Sequence, residues 1–160
     1  MIQGLSDVIA IDAGAEGVHN VAITRNREVW QWGRNWDGQL GDNRRISRHT
    51  PERVHNISQV TNVAAGGDFV VAQSGGRVWA WGRNVSGQLG IDSTDLRRLT
   101  PVQISTPANV NMAFVAAGSR HAFAVLSGGI AWGWGNNGAG HIGDGTSIER
   151  RGPVLVQELW

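Results

Sequence analysis

Apolar positions along this chain come in short alternating runs, broken by glycine and proline, and the whole rhythm is written three times. Runs of about five residues with this spacing are the mark of strands, and no stretch carries the 3.6-residue period of a substantial helix. The first unit predicts strands from Val8 to Ala13, Asn20 to Thr24, Glu28 to Trp32 and Glu52 to Ile57. The second predicts Val60 to Ala65, Phe69 to Gln73, Arg77 to Trp81 and Val102 to Ser105. The third predicts Met112 to Ala117, Ala122 to Leu126, Ile130 to Trp134 and Val154 to Gln157. Four short strands in each unit of about fifty residues is the pattern of a propeller blade.

Landmarks fix the repeat independently of the strands. Gly14, Gly66 and Gly118 are spaced 66 − 14 = 52 and 118 − 66 = 52 residues apart. Gly38, Gly87 and Gly140 follow at 49 and 53, and Pro51, Pro101 and Pro153 at 50 and 52. One all-β domain is therefore expected over residues 1–160, with repeats at approximately 1–58, 59–106 and 107–160 and three four-stranded blades per chain.

Each third strand carries two tryptophans two residues apart, which point to the same face of a strand. Trp30 with Trp32, Trp79 with Trp81, and Trp132 with Trp134 are read as structural core, packing sheet against sheet. A buried ring removes roughly 150–250 Å² from water, on the order of 4–6 kcal/mol before entropy. Gly33, Gly82 and Gly135 follow these pairs directly and allow close backbone approach.

The segments EVWQWGRNWDGQLG, RVWAWGRNVSGQLG and GIAWGWGNNGAGHIG, with AG before them and TP after the first two, closely resemble repeats of the regulator of chromosome condensation family. The resemblance covers all three units. It implies a propeller, usually of seven blades, that serves as a rigid platform whose loops bind other proteins. The founding member is a nucleotide-exchange factor for a small nuclear GTPase, and other relatives include a plant ultraviolet-B photoreceptor and a secreted bacterial β-lactamase inhibitor. The photoreceptor's GWRHT segment corresponds here to AGSRHAF, which lacks the tryptophan. The family's histidine after AG is matched by His121 and, after a small insertion, by His19, whereas Phe69 stands in the second unit. That pattern implies a structural, hydrogen-bonding histidine with no catalytic part.

Three blades are fewer than the roughly four to eight of a closed propeller. The reading adopted is that a second copy completes the ring, 2 × 3 = 6 blades, with the final strand of each copy, PVLVQELW, joining the first blade of the other. An excised part of a longer seven-bladed propeller is the alternative. Trp160 is assigned to that closing strand or to a ragged tail.

Composition changes this picture little. Fourteen basic residues, all arginine, stand against 13 acidic ones, a formal net charge of +1, so the pI near 9.0 does not signal a nucleic-acid partner. The chain is lysine-free and has no cysteine, which excludes disulfides and thiolate metal sites. No stretch has the length and apolarity of a membrane span, and the first residues lack the features of a secretory signal, so the expected compartment is cytoplasmic. Arginines before each proline (Arg44, Arg45 and Arg48; Arg97 and Arg98; Arg150 and Arg151) are accompanied by acids and read as salt-bridged loops.

Catalytic patterns are absent from the sequence. The five histidines, His19, His49, His55, His121 and His141, never take a metal-ligand spacing. Ser74 and Ser127 sit in glycine-rich turns without a GxSxG elbow. GAGHIG, with Gly138, Gly140 and Gly143, has dinucleotide-turn spacing but falls in the third copy of the GQLG loop, where no helix follows. No enzyme activity, cofactor or metal is expected.

Functional candidates are positions where the repeats differ in an unchanged setting. After WG the units read Arg34-Asn35-Trp36, Arg83-Asn84-Val85 and Asn136-Asn137-Gly138. Arg34 and Trp36, with Arg83 and Val85, are the candidate partner-binding residues, since an arginine beside a dispensable tryptophan has the composition of an interface anchor. The expected function is a non-enzymatic interaction scaffold that self-assembles into a closed propeller and possesses at least one protein partner, itself or another. Nucleotide exchange on a small GTPase is the alternative that the resemblance carries.

Overall fold

The computed structural model describes residues 4–16, 18–106 and 111–157, and Trp160 lies outside them. Twelve strands are seen there and no helix. They are β1 (Val8–Ala13), β2 (His19–Thr24), β3 (Val29–Gly33) and β4 (Arg48–Arg53); β5 (Val60–Ala65), β6 (Phe69–Ser74), β7 (Arg77–Arg83) and β8 (Arg97–Gln103); and β9 (Met112–Ala117), β10 (His121–Leu126), β11 (Ala131–Gly135) and β12 (Arg150–Leu155). They form three antiparallel sheets in the orders β1-β2-β3-β4, β5-β6-β7-β8 and β9-β10-β11-β12.

Two expectations are corrected here. The outermost strand of every sheet begins before its proline, at Arg48, Arg97 and Arg150, so several arginines assigned to loops lie on strands β4, β8 and β12. Proline breaks a central strand, but on an edge strand its missing N–H can face away from the ladder at no cost. The last strand is also not left unpaired, because β12 hydrogen-bonds β11 within its own sheet. Exchange of that strand between copies is therefore not how these blades are built.

Two apolar cores hold the sheets together. Between the first and second lie Val21, Ile23, Val29, Val60, Val63 and Trp81. Between the second and third lie Phe69, Val71, Leu89, Met112, Val115 and Trp134. The middle sheet contributes to both, which explains why β6 reads as the continuous run FVVAQ with every residue buried.

The tryptophan pair of each blade faces the blade before it. Trp81 and Trp134 are fully buried, while Trp79 and Trp132 are half-buried at the rims of the same cores. Trp81 Nε1 donates to Gln31 Oε1 at 2.9 Å and to the Gln39 carbonyl at 3.0 Å. Trp134 Nε1 donates to the Gln88 carbonyl at 2.9 Å. These indoles lie on Gly41 and Gly90, where any Cβ would come within 2.9 and 2.8 Å of the ring. Trp30 and Trp32 of the first blade are half-buried, because no blade of this chain lies on that side.

Gly33, Gly82 and Gly135, directly after the tryptophan pairs, have φ of 109°, 103° and 102°. A Cβ at each would stand 2.5 Å from the carbonyl oxygen of Val18, Asp68 or Arg120. Only glycine meets both demands, and the ladder to the outer strand is irregular at each of these points.

Candidate interaction surface

The loop after each WG glycine is fastened by one buried asparagine. Asn35 Oδ1 accepts from the Leu40 N–H at 3.0 Å, and its amide donates to Asp42 and to the carbonyls of Arg44 and Ile46. Asn84 bonds Leu89, Ser93 and Asp95 in the same way, and Asn137 bonds Ile142, Asp144, Thr146 and Ile148. Each loop is thereby a fixed mount for the variable residues beside the asparagine. In the third loop, burial pushes the Asp144 carboxyl up, but hydrogen bonds from Thr146, Arg150 and Asn137 outweigh that and hold it at about 2.

Trp36 projects from the first mount, 62% exposed, with the Arg34 guanidinium 5.0 Å from its ring centroid. Its carbonyl accepts from Arg45 Nε at 2.6 Å. Arg34 also donates to Asp68 Oδ1 at 2.7 Å, a bond that raises its own pKa further, and Gln39 Nε2 donates to the same oxygen at 3.0 Å. Arg83 reaches back toward the same blade junction, with Nη1 3.7 Å from both Asp68 and Asp37. Arg34, Trp36 and Arg83 therefore share one surface around Asp68. Val85 does not join it; it is half-buried, and its carbonyl accepts from Arg151 Nη2 at 3.2 Å.

The strand arginines are held by local acids: Arg48 by Asp42 at 3.0 Å, Arg98 by Asp95 at 2.6 Å, and Arg150 by Asp144 at 2.6 Å.

The histidine after AG is not the hydrogen-bonding residue expected. His19 is fully buried and neither ring nitrogen makes a well-aligned hydrogen bond, the Phe69 backbone being near enough only to offset part of the effect of burial on its protonation. Its ring lies against Gly14, where a Cβ would be 2.7 Å away, as Phe69 lies against Gly66 and His121 against Gly118. Shape is the shared requirement, which is why phenylalanine serves in the second unit. Burial pushes His19 down to about 4. His121 is also lowered, first by burial and then by His141, whose ring centroid is 4.5 Å away. His141 replaces the glutamine at this loop position in the other two units. Among the described residues no group of three His, Asp or Glu side chains is placed to hold a metal ion. The GAGHIG segment forms a turn between β11 and β12 and opens no helix.

The family model described as Regulator of chromosome condensation (RCC1) repeat matches residues 28–73 and 75–125, and a second model of that repeat matches 113–140. The chain belongs to the RCC1 repeat family. It is 30% identical over 169 residues to the human probable E3 ubiquitin-protein ligase HERC6, covering 99% of this chain and 16% of that protein. It is 31% identical over 151 residues to the Arabidopsis thaliana ultraviolet-B receptor UVR8, covering 92% of this chain and 33% of that one. Among solved structures, human WBSCR16 superposes with a TM-score of 0.84 at 22% identity over 96% of this chain. Prp20p from Saccharomyces cerevisiae, described with its binding to Gsp1p and histones, gives 0.83 at 25% identity over 97%. This chain spans a third or less of the two relatives and 39% of each of these two structures. The RCC1-type propeller architecture is therefore established for these three blades.

Proposed function

We propose that this chain is a non-enzymatic protein-interaction platform whose three blades complete a propeller ring by stacking on a second copy. The observation that carries the reading is a pair of open, matching blade faces. Val60, Val63 and Trp81 are 0%, 8% and 0% exposed, because the first blade covers them. Their equivalents in the first blade, Val8 and Ile11, are 41% and 59% exposed, and Trp32 is half-buried. At the other end Phe114 is 51% exposed, and Gly143 occupies the position at which Gly41 and Gly90 seat an indole. One end presents the tryptophan and the other an empty seat, so the contact is head-to-tail and closes after 2 × 3 = 6 blades.

The open apolar faces support stacking on a further blade, and the Arg34–Trp36 surface supports binding of other proteins once the ring is closed. Light scattering after gel filtration at micromolar concentration should return twice the 17.2 kDa chain mass. The single-chain mass, or an open-ended series, would refute the closed dimer. Trp32→Glu should convert the dimer to monomer.

The 39% coverage of the solved propellers favours a second reading, in which these blades are one part of a larger ring. A monomer that binds further blades supplied in trans would support it. Nucleotide exchange on a small GTPase is a narrower form of the platform role. It is tested by release of labelled nucleotide, with no acceleration counting against it.

A further inference from the structure

The first and second blade junctions contain the same arginine and glutamine, but the carboxylate of the first is replaced by an arginine in the second, and the shared arginine of the second reaches back to within 3.7 Å of that carboxylate. Asp68 accepts from Arg34 Nη2 at 2.7 Å and from Gln39 Nε2 at 3.0 Å. Arg83 and Gln88 are the equivalents one repeat later, and the residue in the place of Asp68 is Arg120. Gln88 is 1% exposed; its Oε1 accepts from the Ser86 N–H at 2.8 Å, while its amide N–H groups have no acceptor among the described residues. Arg83 has Nη1 3.7 Å from Asp37 and Asp68 but its buried Nε has no partner, and Arg120 forms no ion pair among the described residues. These three groups line one cleft of about 170 Å³ together with Arg34, Asp68, Glu16 and Ser119, so that three guanidinium groups face two carboxylates there. That volume exceeds several times the roughly 30 Å³ share of one water.

We propose that the Arg83–Gln88–Arg120 cleft takes a carboxylate side chain from an acidic segment of a partner protein, in the way Arg34 and Gln39 take Asp68. The chemistry is a charge-assisted pair: two guanidinium groups supply the field, and a nearly buried amide supplies a directional donor. The two carboxylates already in the cleft are engaged elsewhere: Glu16 Oε1 accepts from Ser119 Oγ at 3.1 Å, and Asp68 Oδ1 accepts from Arg34 and Gln39. The identity of the source as protein rests on the platform reading above, whereas the affinity of the cleft for a carboxylate does not.

The test is a titration of the full chain with acetylated hexaglutamate peptide, followed by NMR at the Gln88 side-chain amide and at the Trp134 indole N–H, which donates to the Gln88 carbonyl. Hexaglutamine and inorganic phosphate are the comparison probes. Saturable shifts with hexaglutamate alone, weakening as salt is raised, are expected. Arg120→Asp supplies an internal carboxylate where Asp68 stands in the first junction, so it should keep the fold and lower peptide affinity roughly tenfold or more. Arg120→Ala should lower it less. Equal shifts with hexaglutamine, no saturable shift, or undiminished binding by a folded Arg120→Asp protein would overturn the proposal. A response to phosphate without one to the peptide would overturn it in favour of a small-anion site. Failure of the ring in light scattering would leave this outcome untouched, which keeps the two readings separable.

Discussion

Replacing His19 with phenylalanine should make the protein more stable and remove much of its sensitivity to mild acid. His19 is fully buried, neither ring nitrogen makes a well-aligned hydrogen bond, and burial lowers it from 6.5 to about 4. A base with a depressed folded pKa is neutral when folded and takes up a proton on unfolding. Its stability contribution is therefore complete above pH 6.5 and is lost as pH falls from 6.5 toward 4. The full difference, 6.5 − 4 = 2.5 units at about 1.36 kcal/mol each, comes to about 3 kcal/mol, of which about 2 kcal/mol is already lost at pH 5.

Urea unfolding at pH 7.5, 6.0 and 5.0, at one fixed protein concentration, measures this directly. Phe69 shows that a phenyl ring fits over the AG glycine in this fold. His19→Phe should gain about 1 kcal/mol at pH 7.5, because a buried polar atom without a partner costs about 1–3 kcal/mol. It should also flatten the slope between pH 7.5 and 5.0, leaving the smaller contribution of the same sign from His121. The limb below pH 4 should survive in the variant, since Asp144 is held at about 2 and its stabilising effect, present above its ordinary value of 3.8, is lost toward 2. An unchanged slope in the variant, or a variant less stable at pH 7.5, would refute the reasoning.

Three further outcomes are expected. Asn84→Ala should cost about 2–4 kcal/mol in urea unfolding, because it orphans the Leu89 N–H and the Ser93 and Asp95 carbonyls together. His141→Gln should raise the His121 pKa, read from its ring resonances, while burial keeps it below 6.5; no change would mean that His141 does not act on it. Trp36→Ala should leave the unfolding free energy within about 0.5 kcal/mol, since the ring is 62% exposed, yet weaken capture of a protein partner. Loss of the folded state would place Trp36 in the core.

The blade rule was legible because it depends on local signals that repeat: alternation, glycine after the tryptophan pair, and the spacing of AG. β1, β5 and β9 occupy the predicted ranges for that reason. The outer strands were misplaced because proline is a breaker inside a sheet and harmless at its edge, and sequence does not show which strand is the edge. The sequence signal for the loop mount is Asn35, Asn84 and Asn137, each the invariant residue beside variable ones, but an asparagine alone does not show that its side chain is buried and fully bonded. His19 was misread because a ring chosen for shape and a ring chosen for hydrogen bonding use the same letter; Phe69 in the matching position was the available clue.

The two internal junctions and the open third position differ in what they offer an indole N–H. Trp81 has two acceptors, the Gln31 side chain and the Gln39 carbonyl, while Trp134 has only the Gln88 carbonyl, because Ala80 stands where Gln31 does. A net hydrogen bond is worth about 0.5–1.5 kcal/mol, so the second junction is the weaker in this respect. At the open third position Gly133 again offers no side-chain acceptor, and the carbonyl in line belongs to His141, beside His121. An indole seated there would bury His121 further and oppose its protonation. Stacking of a second copy should therefore weaken as pH falls below the ordinary imidazole range, since His121 is already lowered before stacking, while the two internal junctions, which lack this pair, hold the three blades together.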